Sequence, residues 1–356
     1  MKKRYKIYTS LVATLWLTLS CTADKETVTP LRDVELHFTA ATVSDGTTRV
    51  DAGDSYNDAL PSGSAIGVYI YGYEGSTGYD LSTLQPAVNT PSTTWVYTTV
   101  GSAVTVTENS QTFKVSNLVL TSHVKAPKYP EKVSGSGAGD MDNVQIFAVF
   151  PNNPDFKPSG NTYEYYDFTA ALDQTTAANI MASDLMTNDI ATYTKAQTEY
   201  VSLRLNLQHR MAKVHVNFIP KSGSDLTTDN MPTTFKVLGV YRSLRINPKA
   251  GTVALNTGVA QTTDGTGTAL LGATGQSFFI APQTISSSTP WLKFDIRGSG
   301  QFKGISGCTF TPTSAVTLEA GKSYQVNVTV DVDFASVTGT ITTWNQETLS
   351  YDTVVL

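Results

Sequence analysis

The sequence is short of cysteine, histidine and charge. Its 356 residues contain two cysteines and four histidines, and charged residues make up only 15% of the chain. Two cysteines cannot build a disulfide framework, and no histidine stands in a metal-binding spacing such as HExxH. The formal net charge is −5 and no basic run follows the first six residues, so nucleic acid is not expected as a partner.

The sequence also lacks an apolar run long enough to span a bilayer as a helix. Cations in the first six residues precede an apolar segment over residues 7–19, which is too short for a bilayer core of about 30 Å and is typical of a secretory signal. The segment ends in LTLSC (17–21), similar to a bacterial lipoprotein signal, although Thr18 stands where a large apolar residue is usual.

We therefore expect residues 1–20 to be a lipoprotein signal peptide and Cys21 to be the lipidated residue. Its thiol would carry diacylglycerol, and its freed amine would carry a further acyl chain such as palmitate, which together give stable membrane anchoring. The alternative is a secreted protein with an incidental cysteine at this position. With Cys21 acylated, Cys308 has no partner and is expected to be a small core residue.

Period-two alternation of apolar and polar residues dominates the rest of the chain. It runs without a fault through VSLRLNLQ (201–208) and YQVNVTVDVDF (324–334), and the first strand of this kind is expected over residues 34–40. Such alternation indicates antiparallel strands with one face on a core and one in water. Helical spacing is confined to residues 168–186. Turn residues between the strands, as in KSGSD (221–225), favour an all-β chain of β-sandwiches.

The length of the chain is sufficient for two domains of ordinary size. Residues 21–33 are polar and are expected to form a tether. The strong strand pattern YVSLRLNLQH (200–209) suggests a boundary just before it. We therefore predict an N-terminal β-sandwich over residues 34–198 and a C-terminal one over residues 199–356.

No arrangement of residues points to catalysis. GKS (321–323) is similar to the end of a phosphate-binding loop, but Val316 stands where the first glycine is required and a strand follows instead of a helix. Asp331 and Asp333 share a strand face that the alternation assigns to solvent. His209 has the parity of the apolar residues in its strand and is expected to be hydrogen-bonded rather than a metal ligand. We predict no catalytic residue, metal or cofactor, so an enzyme is the weakest interpretation.

Several stretches, taken in their order, resemble the fimbrillin family of Bacteroidales, the subunits of pili assembled from lipoprotein precursors (type V pili). They are the lipoprotein signal, HFTA with GTTR (37–49), IGVYIYG (66–72), SDLMTND (183–189), LNLQHRMAKVHVNF (205–218), AGKSYQVNVTV (320–330) and TITTWN (340–345). The resemblance implies two tandem transthyretin-like Greek-key β-sandwich domains and export to the outer membrane. It also implies maturation by an arginine-specific surface protease, which removes the lipid and the first strand. The groove left open accepts a strand from another subunit.

The resemblance assigns the cleavage to Arg49, with Arg32 as the alternative. A cut after Arg32 would leave the first strand in its sheet, whereas a cut after Arg49 would free it. The freed strand would vacate the positions of Val34, Leu36 and Phe38, each worth roughly 1.5–3 kcal/mol when buried. An open edge over an apolar groove favours aggregation unless a partner strand fills it by β-augmentation. That Arg49 is an ordinary loop residue stays open.

The C-terminus offers a candidate donor strand over residues 346–356. In LSYDTVVL (349–356), Leu349, Tyr351 and Val355 share one parity and could occupy the vacated positions. The alternative is that these residues form the last strand of their own domain.

The sequence thus predicts a structural or adhesive subunit of a cell-surface pilus, with a shaft or tip role favoured over an anchor. Its expected partners are other pilus subunits, the protease, the outer membrane through the lipid, and host or bacterial surface glycans or proteins. The alternative is a lipid-anchored, monomeric glycan-binding β-sandwich protein, for which the tyrosines of VYIYGYEGSTGY (68–79) and NTYEYYDF (161–168) would suit sugar stacking.

Overall fold

The structure is a computed structural model. It describes residues 35–44, 65–73, 94–98, 104–108, 111–120, 143–152, 166–189, 191–194, 200–247, 251–300, 302–331, 337–343 and 347–349. Their regular secondary structure is almost entirely β-strand, which confirms the all-β class. The one α-helix among them, α1 (Ala177–Ala182), lies within the stretch in which helical spacing was noted. None of the helices in these ranges is long and apolar enough to cross a membrane.

The first twelve strands are β1 (Glu35–Ser44), β2 (Ala65–Tyr73), β3 (Thr94–Thr98), β4 (Val104–Glu108), β5 (Gln111–Leu120), β6 (Asn143–Phe150), β7 (Tyr166–Thr169), β8 (Asp173–Gln174), β9 (Met186–Thr187), β10 (Ala191–Thr194), β11 (Tyr200–His209) and β12 (Ala212–Pro220). The remaining strands are β13 (Thr234–Val237), β14 (Ser243–Asn247), β15 (Thr252–Leu255), β16 (Leu270–Ala273), β17 (Ser277–Ile280), β18 (Gln283–Ile285), β19 (Leu292–Ile296), β20 (Ile305–Phe310), β21 (Val316–Leu318), β22 (Ser323–Val330), β23 (Val337–Thr343) and β24 (Glu347–Leu349). A short 3-10 helix covers Thr228–Asn230.

Nine of the strands form one sheet that closes on itself. Its order is β1-β11-β9-β6-β2-β3-β5-β4, with β10 also paired to β6. Because β1 pairs with β5 as well as with β11, the strands β1, β11, β9, β6, β2, β3 and β5 form a ring. Ring closure removes two free sheet edges, which would otherwise be sites of unwanted strand pairing.

Four smaller sheets contain the other strands. Their orders are β17-β12-β22-β23-β24, β20-β19-β13-β16-β8, β15-β14-β7 and β18-β21. Two of these sheets include strands from before the expected boundary at residue 198, since β7 pairs with β14 and β8 pairs with β16. Conversely, β11 follows that boundary and belongs to the nine-stranded sheet. The division into two domains stays a prediction.

Two hydrophobic cores are formed by the described residues. The larger core is built from β12, β13 and β16 to β22, and in it the ring centroids of Phe218 and Phe294 lie 4.5 Å apart. The predicted alternation is clear in β22, where Tyr324, Val326, Val328 and Val330 are buried and the intervening residues are half-buried. Cys308 lies in this core, as expected. The second core combines β6, β7, α1, β14 and β17 around Phe147, Ile180 and Phe279.

The expectation for Asp331 is wrong. This residue is only 5% exposed and its carboxylate forms an ion pair with Lys221. The reason is that β22 ends at Val330, so the alternation no longer determines which way the next side chain points. Lys221 follows β12, the parallel neighbour of β22, and its backbone N–H donates to the carbonyl oxygen of Val330 at 2.9 Å. Asp333 lies outside the described residues.

Candidate functional site

Strand β1 joins β11 to β5 in the ring. Residues Glu35–Thr42 pair in parallel with Tyr200–Leu207 of β11. On the other side, residues Thr39–Ser44 pair in antiparallel fashion with residues 112–117 of β5. Residues 39–42 are therefore paired on both sides, and no other described strand lies between β11 and β5.

This strand is longer than the sequence predicts. It continues to Ser44, whereas the apolar alternation indicates an end at residue 40. Leu36 and Phe38 pair in register with Val201 and Leu203. The doubly paired part, however, is the small-residue stretch TAAT (39–42). Sequence reasoning missed it, because small residues give no apolar period and only the three-dimensional partner β5 extends the strand.

Strand β11 has little other support in the sheet. Within the described part of the chain, its residues Tyr200–Leu207 pair with β1 alone, and only Gln208 and His209 pair with β9. Strand β5, by contrast, also pairs with β3 and β4. Loss of β1 would therefore leave β5 within a sheet, but it would leave most of β11 without a neighbouring strand.

Side chains join the end of β11 to the segment 184–189, and we call this set the clamp. It consists of Asp184, Thr187 and Asp189 on one side and Gln208, His209 and Arg210 on the other. Nδ1 of His209 lies 2.7 and 2.9 Å from the carboxylate oxygens of Asp184, and both side chains are buried. The prediction that His209 is a hydrogen-bonded residue at a strand end is thus confirmed. Among the described residues, no group of His, Cys, Asp and Glu could hold a metal ion.

Arg210 and Gln208 complete the clamp. The guanidinium of Arg210 donates from Nε to Thr187 Oγ1 and from Nη2 to Asp189 Oδ1, both at 2.7 Å. Gln208 Nε2 donates to Asp189 Oδ2 at 3.0 Å. In the same segment the side-chain amide of Asn188 is bound to β6, accepting from Ala148 N at 2.6 Å and donating to Ile146 O at 3.1 Å. The stretches SDLMTND (183–189) and LNLQHRMA (205–212), which are 15 residues apart in sequence, therefore meet in the structure.

The C-terminal candidate strand is described only in part. Residues Glu347–Leu349 form β24, the edge strand of its sheet, in which Leu349 pairs with Ile341 of β23. This short pairing is the arrangement expected if the C-terminus serves its own domain. The other site residues lie outside the described part of the chain: Cys21, Arg32, Val34, Arg49, Tyr351 and Val355.

Comparison with known proteins identifies the family. The fimbrillin-like family matches residues 48–344, and the chain therefore belongs to this family. The chain is similar to the crystal structure of a candidate cell adhesion protein from Bacteroides ovatus, with 16% identity, 89% of this chain and 99% of that chain covered, and a TM-score of 0.49. It is also similar to one from Bacteroides uniformis, with 15% identity, 87% of this chain and 99% of that chain covered, and a TM-score of 0.48. A third similar structure is a fimbrial assembly protein from Parabacteroides distasonis, with 10% identity, 89% of this chain and 99% of that chain covered, and a TM-score of 0.43. No curated protein matches the sequence.

Membership in this family places the chain among the pilus subunits and adhesins of the cell surface. It is a structural protein and not an enzyme. The matched range begins at residue 48, after β1, and ends at residue 344, before β24.

Proposed function

We propose that this chain is a pilus subunit that assembles with other subunits by strand exchange. In this mechanism β1 leaves the ring and a strand of another subunit takes its place between β11 and β5. The observation that carries the proposal is that β1 is the described strand that joins β11 to β5, pairing with eight residues of β11 and six of β5. A replacement strand restores backbone hydrogen bonds on both sides, and the side chains that alternate along it set its register.

The exchange begins with hydrolysis of the peptide bond between Arg49 and Val50. One water is consumed, and the products are a new carboxylate on Arg49 and a new amine on Val50. Arg49 follows β1, which ends at Ser44, so the cut separates β1 from the rest of the ring. A cut after Arg32 would leave β1 attached. The family match supports cleavage after Arg49, because it begins at residue 48. The matched range therefore consists almost entirely of residues that stay in the subunit after this cut.

The lipid and β1 lie on the same fragment. Lipidated Cys21 would hold the precursor in the outer membrane, and the cut after Arg49 would remove residues 21–49 together. One hydrolysis therefore removes the covalent link to the membrane and allows β1 to leave the groove. A subunit that escapes the cut keeps both lipid and β1 and is suited to be an anchor, whereas a cleaved subunit is suited to the shaft or tip.

The donor strand is proposed to lie in residues 346–356. In the isolated chain its first part is β24, a three-residue edge strand that is paired on one side only. Such a short pairing is detached at little cost, since each ladder hydrogen bond contributes about 0.5–1.5 kcal/mol net. Leu349, Tyr351 and Val355 would then alternate along the groove of the next subunit.

Paired arginine variants test this function. The full-length precursor and its Arg49→Ala and Arg32→Ala variants are treated with an arginine-specific protease, and the products are examined by intact mass and on mildly denaturing gels. We expect wild type and Arg32→Ala to yield a chain that starts at Val50 and runs as a ladder of polymers, and Arg49→Ala to yield neither.

Two results would contradict the proposal. One is polymer formation by Arg49→Ala, and the other is a wild-type chain that starts at Val50 but stays monomeric. A lipidated monomer that binds immobilised glycans would support the alternative function, a surface glycan-binding protein.

A further inference from the structure

The clamp lies where β11 has a described strand partner other than β1. Residues Tyr200–Leu207 lose their described strand partner when β1 leaves, whereas Gln208 and His209 keep their pairing with Thr187 and Met186 of β9. Leu205 and Leu207, next to the clamp, are fully buried, so the end of β11 is also fixed by packing.

The chemistry of the clamp is suited to a fixed end. The Asp184 side chain is 0% exposed and that of His209 is 4% exposed, so their contact is shielded from water and from salt. The Arg210 side chain is 19% exposed and reaches two different acceptors with one planar group. Such a fork fixes direction as well as distance. The backbone adds a further bond, from Arg210 N to Leu185 O at 2.7 Å.

We propose that the clamp holds β11 in position while the place of β1 is empty. An incoming strand can then pair with a β11 that is already in its bound conformation. The proposal rests on strand exchange as the proposed function. Asp184, Thr187, Asp189 and Arg210 are then positioning residues for assembly, although none of them lies in β1, β5 or the candidate donor strand.

The geometry also gives the exchange a direction. At Thr42 the groove has a strand on both sides, because this residue pairs with Leu207 of β11 and with Lys114 of β5. This end of the groove is next to the clamp. At Glu35 only β11 is present, far from the clamp. An incoming strand that occupies the place of β1 therefore begins to pair at the Leu207 end of β11, and the pairing then extends toward Tyr200.

A peptide-exchange assay tests the clamp. The full-length protein carries a single engineered protease site at residues 46–49, so that cutting there leaves β1 bound but no longer covalently attached. A fluorescent peptide of residues 33–46 then competes for the groove. The test variant is Arg210→Met, which removes the bonds to Thr187 and Asp189. The matched control is Arg245→Met, which removes a similar two-point contact with Asp167 at 2.7 and 2.9 Å, between β14 and β7.

We expect the two variants to differ only after cleavage. In the uncleaved protein β1 supports β11, so both variants should melt at similar temperatures. After cleavage, Arg210→Met should bind the peptide about tenfold more weakly than the control, which corresponds to 1.4 kcal/mol. Once the cleaved β1 fragment has been removed, amide hydrogen exchange in residues 200–207 should also be faster in Arg210→Met than in the control, and more so toward Tyr200.

Equal peptide affinity of the cleaved Arg210→Met and Arg245→Met proteins would overturn the proposal. If Arg210→Met does not fold, Thr187→Val serves in its place, since it removes one acceptor with little change in volume. A wild-type protein that exchanges no peptide would instead refute strand exchange itself, which separates failure of the proposed function from failure of the clamp.

Discussion

The double pairing of residues 39–42 makes a quantitative prediction about proline in β1. Ala41 pairs with Asn206 of β11 and Val115 of β5, whereas Glu35 pairs with Tyr200 alone at the first position of the strand. Proline has no N–H to donate and is tolerated only at the start or the edge of a sheet. Ala41→Pro and Glu35→Pro therefore place the same residue in two very different environments on one strand.

The magnitude follows from the lost ladder bond. The lost hydrogen bond costs about 0.5–1.5 kcal/mol, and the acceptor left unpaired between two strands costs about 1–3 kcal/mol more. Together they reduce the binding free energy of the Ala41→Pro peptide by roughly 3 kcal/mol. At 1.4 kcal/mol for each factor of ten, this is a loss of affinity of about a hundredfold. For Glu35→Pro the strand can begin one residue later, so we expect a loss of less than about tenfold.

The assay measures binding of peptides 33–46 to the cleaved full-length protein. Wild-type, Ala41→Pro and Glu35→Pro peptides are titrated by fluorescence anisotropy. Equal affinities of the wild-type and Ala41→Pro peptides would refute the pairing of residues 39–42 on both sides. A Glu35→Pro peptide weaker than Ala41→Pro would show that the N-terminal half of β1 carries the binding instead.

Three further predictions follow from the described residues and the candidate donor strand. Hydrogen bonds from Lys293, and then from Lys236, lower the pKa of the Asp264 carboxyl. Lys293→Met should therefore raise this pKa toward its ordinary value in a carboxyl NMR titration, and an unchanged pKa would contradict the prediction. Burial raises the pKa of the Cys308 thiol, so a thiol reagent should modify it only after unfolding, and rapid labelling of the folded protein would contradict its place in the core. Deletion of residues 346–356 should leave cleavage after Arg49 intact but abolish polymers; polymers formed by the deletion variant would exclude this segment as the donor.

The strands with one solvated face could be predicted from the sequence. The alternation in residues 324–330 identified both the element and its buried side, because a period of two determines which residues share a face. The same parity argument correctly predicted a hydrogen-bonded His209 at the strand end. It failed at Asp331, one residue beyond the end of the strand, because a period of two assigns faces only within a strand.

The partners of each strand could not be predicted in the same way. Alternation indicates a face but not a neighbour, so nothing in residues 35–44 shows that they pair with β11 on one side and β5 on the other. The pairing of β7 with β14 and of β8 with β16 is equally invisible in the sequence, because these contacts join residues about 75 to 100 positions apart. The clamp was present in the sequence as two separate motifs, and only the fold brings them together.

The central claim is that β1 is removed and replaced during assembly. The most direct test is the N-terminal residue and the intact mass of the subunits in pili taken from the cell surface. We expect the assembled chain to start at Val50 and to carry no lipid. An assembled chain that starts at acylated Cys21 and retains β1 would contradict strand exchange at this position.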